Sequence, residues 1–209
     1  MKRVTVVDYG MGNLGSVAKA LERSGARVTV SPAPEEAARA EALVLPGVGA
    51  FGDAARALRE RGVDEAVKDF IASGRPFLGI CLGLQLLFPE SEEAPGGPPG
   101  LGLLEGRVRR FPEAGPDGRR LKVPHIGWNQ VWKGRETPLS RRVAEGQYFY
   151  FVHSYYAAPE EEEVTALWCE YGGVRFCAMA ARGNVYATQF HPEKSQREGL
   201  ALLSAFLEL

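Results

Sequence analysis

Apolar positions change period along this chain, and the change separates strands from helices. Arg3 to Asp8, Ala26 to Ser31, Ala42 to Leu45 and Pro76 to Ile80 are short apolar runs of strand length. Between them apolar residues recur at helical spacing, from Asn13 to about Ser24, Glu35 to Ala40, Asp53 to Arg61 and Asp64 to Ser73. Asn13 is placed to cap the first helix and Gly25 to end it. Leu82 to Phe88 resumes helical spacing directly after the fourth strand. Such alternation predicts an α/β fold: a doubly wound, mostly parallel central sheet with helices on both faces.

The second half changes character. From Gly106 onward strand signals dominate, at Arg107–Phe111, Asn129–Trp132, Gln147–Tyr156, Val164–Glu170, Val174–Ala180 and Val185–Phe190. These are expected to add antiparallel strands, the last two joined by a hairpin turn at Ala181-Arg-Gly-Asn184. A closing helix spans about Gln196 to Leu207. Pro95-Gly-Gly-Pro-Pro-Gly100 reads as an exposed loop rather than a linker, so residues 1–209 are expected to form one domain.

Composition narrows the function classes. Twenty-five basic residues against 26 acidic ones leave a net charge of −1, which gives no footprint for nucleic acid or an anionic membrane. No apolar run is long enough to span a bilayer, and the first residues form a strand pattern rather than a signal peptide. Three cysteines do not make a disulfide framework. A cytoplasmic, reduced protein is the expectation.

Candidate chemistry centres on Gly79-Ile-Cys-Leu-Gly83, where a cysteine between two glycines lies at a strand-to-helix turn. That is the layout of a nucleophile elbow with sulfur in place of oxygen. Glycines permit the close backbone approach, and the turn projects Cys81 at a helix N-terminus, where unpaired N–H groups favour an anion. A free thiol ionises near pH 8.5, about, and such a setting lowers that value. Cys169 and Cys177 lie in strand-like stretches without such a turn and read as small buried hydrophobes.

A thiolate nucleophile needs a base, and the base an orienting group. Of three histidines, His125 and His153 have aromatic or apolar neighbours in sequence. His191 is followed by Pro192 and Glu193; Pro192 holds it extended, so His191 and Glu193 should share one face. Acyl transfer also needs donors for an oxyanion. Leu82 N–H is one by elbow geometry, and the Pro46-Gly-Val-Gly49 loop offers Val48 and Gly49 as the second. One such donor is worth about 3–4 kcal/mol of transition-state stabilisation. Glycines flanking Val48 make a peptide flip easy, so this hole could be switchable. The cysteines and histidines show no metal-ligand spacing, and neither metal nor cofactor is expected.

Pro46-Gly-Val-Gly-Ala-Phe51, Gly79-Ile-Cys-Leu-Gly-Leu-Gln-Leu-Leu-Phe88 and Gln189-Phe-His-Pro-Glu-Lys-Ser195 together resemble the class I (triad) glutamine amidotransferases, over the whole chain. Within that class, Asp8-Tyr-Gly-Met-Gly-Asn-Leu-Gly-Ser16, Pro46-Gly-Val-Gly49, His125-Ile-Gly-Trp-Asn129 and Phe149-Tyr-Phe-Val-His-Ser-Tyr155 are most similar to the glutaminase subunits of imidazole glycerol phosphate synthases. The acidic stretch Pro89-Glu-Ser-Glu-Glu93 departs from the family form by its proline.

The resemblance implies that Cys81, His191 and Glu193 cleave the side-chain amide of glutamine through a thioester. It maps glutamine binding onto Gly47, Gly49, Gln85, Glu93, Ser154 and Tyr155. It implies a heterodimer with a (β/α)8 cyclase, which receives the ammonia in histidine biosynthesis, with Asn13, Ser16, Tyr150 and Lys194 at the interface. Two other enzymes remain open: a glutaminase serving pyridoxal phosphate or anthranilate synthesis, and a partner-free cysteine hydrolase or peptidase. A catalytically silent binding module is a third alternative, disfavoured by the presence of all three triad residues.

Overall fold

A computed structural model describes all 209 residues, Met1–Leu209. Eighteen elements follow in order. The first half comprises β1 (Arg3–Val7), α1 (Leu14–Arg23), β2 (Arg27–Ser31), α2 (Pro34–Arg39), β3 (Ala42–Gly47), α3 (Phe51–Glu60), α4 (Val63–Ala72), β4 (Phe77–Cys81) and α5 (Leu82–Gln85). After it come β5 (Glu90–Ser91), β6 (Gly106–Arg110), β7 (His125–Lys133), β8 (Gln147–His153), β9 (Tyr155–Pro159), β10 (Thr165–Tyr171), β11 (Val174–Arg182), β12 (Val185–Thr188) and α6 (Gln196–Leu207).

Nine strands form one sheet in the order β2-β1-β3-β4-β12-β11-β10-β7-β8. The first five are parallel and the rest antiparallel. β12, from the end of the chain, lies beside β4, so late sequence is placed next to the elbow. Side chains of the parallel strands alternate between two cores. Val4, Val6, Val44, Leu78 and Ile80 pack with Val17 and Leu21 of α1 and Leu202, Leu203 and Phe206 of α6. Val7, Leu43, Leu45 and Phe77 pack with Leu58 of α3 and Val67 and Phe70 of α4. Burial on both faces is why these strands read as continuous apolar runs. A second sheet, β5-β6-β9, forms its own ladder and packs against the first, with Val108 and Ala157 in the same core as Ala180 of β11.

The structure corrects four local expectations. Leu82–Phe88 is not one helix: α5 is a single turn ending at Gln85. The carbonyls of Leu86 and Leu87 instead accept N–H bonds from Leu101 (2.7 Å) and Leu103 (2.8 Å). Leu84 and Leu86 to Phe88 are 0% exposed, so their apolar run reflects burial on every side rather than one helix face. Asn13 precedes α1 as expected, but its side chain makes no capping bond. Gln147–Tyr156 is split at Ser154, with β8 in the large sheet and β9 in the small one. Finally, His191 is extended as expected (φ −99°, ψ 97°), but the Pro192–Lys194 segment after it forms one tight 3-10 turn rather than continuing extended.

The elbow glycines have a steric cause. A methyl at Gly83 would overlap the carbonyl oxygen of Leu45 on β3, and one at Gly79 would lie 2.7 Å from the carbonyl oxygen of Gly83. Strand, turn and helix backbones are therefore in direct contact. Gly83→Ala is expected to destabilise the chain by at least about 2 kcal/mol, because backbone must move to admit the methyl. Urea unfolding compared with the native chain checks this.

Candidate active site

Cys81 ends β4 with φ 56° and ψ −104°. A non-glycine residue held there stores roughly 1–3 kcal/mol of strain, offset by the packing around it. The conformation turns the thiol into a cavity of about 380 Å³ lined by Val48, Gly49, Cys81, Leu82, Gln85, Glu93, Val152, His153, Ser154, Tyr155, His191 and Lys194. Four larger hollows, of about 490, 500, 510 and 630 Å³, lie elsewhere, and none contains a nucleophile paired with a histidine base. Cys177 borders the hollow of about 510 Å³, but burial pushes its thiol up to about 12, as it does that of Cys169.

His191 lies just past β12, which pairs with β4. Its Nδ1 is 2.8 Å from Glu193 Oε1, both side chains almost wholly buried. The expected contact is present, though the 3-10 turn rather than an extended chain makes it. Three bonds fix that turn: Lys194 N–H donates to His191 O (3.0 Å), Ser195 N–H to Pro192 O (3.0 Å) and Ser195 Oγ to His191 O (2.7 Å). Burial alone would lower the imidazole pKa, but the Cys81 sulfur and the Glu193 carboxylate outweigh it and raise the group to about 10. His191 Nε2 is buried and makes no hydrogen bond. With Nδ1 engaged by Glu193, this is the nitrogen left to exchange a proton.

The remaining candidates divide by position. Val48 and Gly49 are exposed at the mouth, and neither of their N–H groups donates a hydrogen bond within the chain. Leu82, first residue of α5, has no intrahelical acceptor for its N–H. Glu93 Oε2 accepts the Phe51 N–H at 2.7 Å, at the start of α3, which ties it to the Val48 loop. Gln85 Nε2 donates to Tyr155 O (2.9 Å) and to Gln189 Oε1 (3.2 Å). Gly47 does not line the cavity: it is buried, with the Tyr9 hydroxyl and Leu82 Cβ where its own side chain would be. Asn13, Ser16 and Tyr150 also lie outside the cavity.

Sequence reasoning missed two contributors. Gln189, fully buried, places its Nε2 3.7 Å from the Cys81 sulfur and is held by Gln85. A polar residue ending the apolar run Val185–Phe190 was the available signal. Ser195, also fully buried, accepts the Tyr150 N–H (3.0 Å) while donating to His191, so it fastens the histidine turn to β8.

Beneath the cavity a chain of neutral groups runs through the core. His153 Nδ1–H donates to Tyr155 O (2.8 Å), so its Nε2 accepts from His125 Nδ1–H (3.0 Å), and His125 Nε2 accepts from Asn129 (3.3 Å). Burial lowers His125 to about 4 and His153 to about 3.

Against known proteins, the profile of the family described as "Glutamine amidotransferase class-I" matches residues 5–208. The fold is similar to a solved "glutamine amidotransferase" (TM-score 0.73, 24% identity, 98% of this chain and 97% of that one). It is similar also to PurLQS from Thermotoga maritima (TM-score 0.75, 21% identity, 100% and 99%). The chain belongs to the class I glutamine amidotransferase family. Within it, the sequence is 52% identical over 207 residues to "Imidazole glycerol phosphate synthase subunit HisH" of Geobacillus thermodenitrificans (99% of this chain, 96% of the relative). It is 51% identical over 203 residues to the protein of that name in Rhodopirellula baltica (97% and 96%). Identity to the one in Geobacter sulfurreducens is 49% over 210 residues (100% of both). By this likeness the chain falls in the HisH branch of the family.

The two depressed histidines set an acid limit. Both are neutral in the fold but bind a proton in the unfolded chain below about pH 6.5, so the unfolded state gains protons first as pH falls. Their contribution is full above that pH and is lost on the way down to the folded values near 4 and 3. Urea unfolding should show stability dropping by roughly 2 kcal/mol or more between pH 7 and 4.5, with a shallower fall in His153→Gln. Equal slopes for native and variant chains would refute this.

Proposed function

We propose that this chain is the glutaminase subunit of an imidazole glycerol phosphate synthase, acting in the cytoplasm in histidine biosynthesis. One observation carries the reading: a cysteine on a strained strand-to-helix turn shares a cavity with His191, whose imidazole is held by the buried Glu193. The HisH relatives named above support the choice of synthase.

In this reading Cys81 sulfur attacks the side-chain carbonyl carbon of glutamine, forming a C–S bond. The carbonyl oxygen takes up negative charge toward the N–H groups of Leu82 and of Val48 or Gly49. His191, oriented by Glu193, gives its Nε2 proton to the departing nitrogen, the C–N bond breaks and ammonia leaves. Water then attacks the thioester, surrendering a proton to His191, and the C–S bond breaks to give glutamate and free Cys81. Glu93 keeps Oε1 for the substrate's α-ammonium while Oε2 holds the Phe51 N–H. Gly49, Ser154 and Tyr155 border the amino-acid site, Gln85 braces it through Tyr155, and Gly47 shapes it from beneath.

Ammonia released into neutral water is protonated and loses its lone pair, so passage straight into a (β/α)8 cyclase is the useful outcome. That partner uses it to make imidazole glycerol phosphate and an aminoimidazole carboxamide ribotide. Exposed Asn13, partly covered Ser16 and Tyr150, and exposed Lys194 are the interface candidates. Lys194 Nζ sits 5.9 Å from the Tyr150 ring centre, and the Trp128 ring lies edge-on to Tyr150 with centres 6.1 Å apart. Ile126 and Trp128, 54% and 46% exposed, extend the face and were not foreseen from sequence. Large apolar side chains left in water beside a site mark a docking surface.

Glutamate release from glutamine should be slow for the chain alone, rise at least about tenfold with the cyclase, and vanish in Cys81→Ala. A chain whose activity ignores the cyclase, or survives loss of the sulfur, is not this enzyme. Trp128→Ala should weaken cyclase binding by roughly tenfold or more while lowering the subunit's own unfolding midpoint by no more than about 2 °C, because nearly half of the residue is exposed when the chain is free. Titration calorimetry and thermal melts read the two effects.

A further inference from the structure

Tyr9 lies two residues past β1, and its hydroxyl reaches Gly47 of β3, which in turn pairs with Cys81 of β4. Its side chain is 0% exposed and its hydroxyl has no hydrogen-bond partner. Buried donors are nearly always paired, so an orphan beside a candidate active site calls for a cause. Its location is specific. The hydroxyl fills the space that a side chain at Gly47 would occupy, and Leu82 Cβ borders the same space at 2.9 Å. It therefore touches the base of the Pro46–Gly49 loop and lies next to the residue whose N–H follows the nucleophile. Burial, reinforced by the Cys81 charge, raises the phenol above its ordinary value, so the group stays a donor across the working pH range.

The loop it touches is free to change. Val48 and Gly49 donate no hydrogen bond within the chain, Gly49 has φ 100°, and Val48 is 40% exposed. Turning the Gly47–Val48 peptide swaps the directions of the Gly47 carbonyl and the Val48 N–H. A carbonyl turned toward the interior needs a donor there, and Tyr9 is the one unengaged donor in contact with Gly47.

We propose that Tyr9 is a positioning residue for the oxyanion hole: its hydroxyl donates to the Gly47 carbonyl when the Val48 N–H faces the thioester-forming carbon, and is unpaired otherwise. The phenol touches no substrate atom; it acts through the loop. In the resting chain the hydroxyl is left without a partner, and the bond it gains on peptide rotation favours the competent state. The inference deepens the glutaminase reading and rests on it.

Tyr9→Phe removes only the oxygen and retains the ring in its pocket. With the cyclase present, kcat for glutamate release should fall about tenfold, the worth of one well-placed hydrogen bond, with KM within about twofold. The melting temperature of the free variant should hold or rise, by roughly 2–4 °C, because an unpaired buried group has been deleted. A purely structural hydroxyl would move these readouts the other way, with stability falling and kcat untouched. The proposal is overturned if kcat changes less than about threefold, if the loss resides in KM, or if the variant melts lower. The native chain assayed alongside separates the two ideas. No glutamate from native chain with cyclase sinks the proposed function and this inference together; an active native chain matched by Tyr9→Phe sinks this inference alone.

Discussion

Contact between three stretches of backbone governs this molecule. β3, β4 and α5 meet with no side chain between them, at Gly79 and Gly83, and that approach leaves Cys81 no ordinary conformation. Everything proposed for the site follows from where the resulting bend aims the sulfur. The cost of the strained residue is met by packing on both sides of the sheet, where the two apolar clusters hold β4 from above and below. A looser core would let the turn relax and withdraw the thiol from His191.

Supports around the site are layered in a similar way. Glu193 holds His191, Ser195 holds the turn that carries both, and β8 holds Ser195. On the sulfur side, Gln189 reaches Cys81 and Gln85 reaches Gln189. These are buried polar groups hydrogen-bonded to one another, so each restricts the next, while His191 Nε2 and Glu193 Oε2 stay without a partner. The donor side of the site is different in kind: the Val48 loop is exposed, rich in glycine and without internal hydrogen bonds. A firmly held proposed nucleophile and base beside a pliable loop proposed to carry the oxyanion donor is an arrangement suited to control by a partner.

Legibility in sequence followed the range of the interaction. Strand–helix order in the first half depends on local period, and β1 to α4 lie within a few residues of expectation. The elbow was legible because its glycines are neighbours of the cysteine. His191 and Glu193 were legible as a pair because two positions separate them, although the 3-10 turn that joins them was not. Periodicity failed at Leu82–Phe88, where residues buried all round imitate a helix face. Asn13 precedes α1 without capping it, because a side chain's preference for a position does not supply the bond. Tyr9, Gln189 and Ser195 acquire their meaning only from contacts with residues distant in sequence, and no local pattern marks such contacts. Likewise, strands can be found in a sequence without revealing that β12 inserts between β4 and β11.

The tie between the histidine turn and β8 has a consequence for the subunit before it finds any partner. β8 is one of the two outer strands of the nine, and Tyr150 directs its N–H and carbonyl away from β7, toward Ser195 and His191. An outer strand with open hydrogen-bonding groups and aromatic side chains is a template on which another chain can add. Here the middle of that rim is already occupied by the loop bearing the proposed base. The same few residues that present the imidazole thus block strand addition along this edge of the sheet.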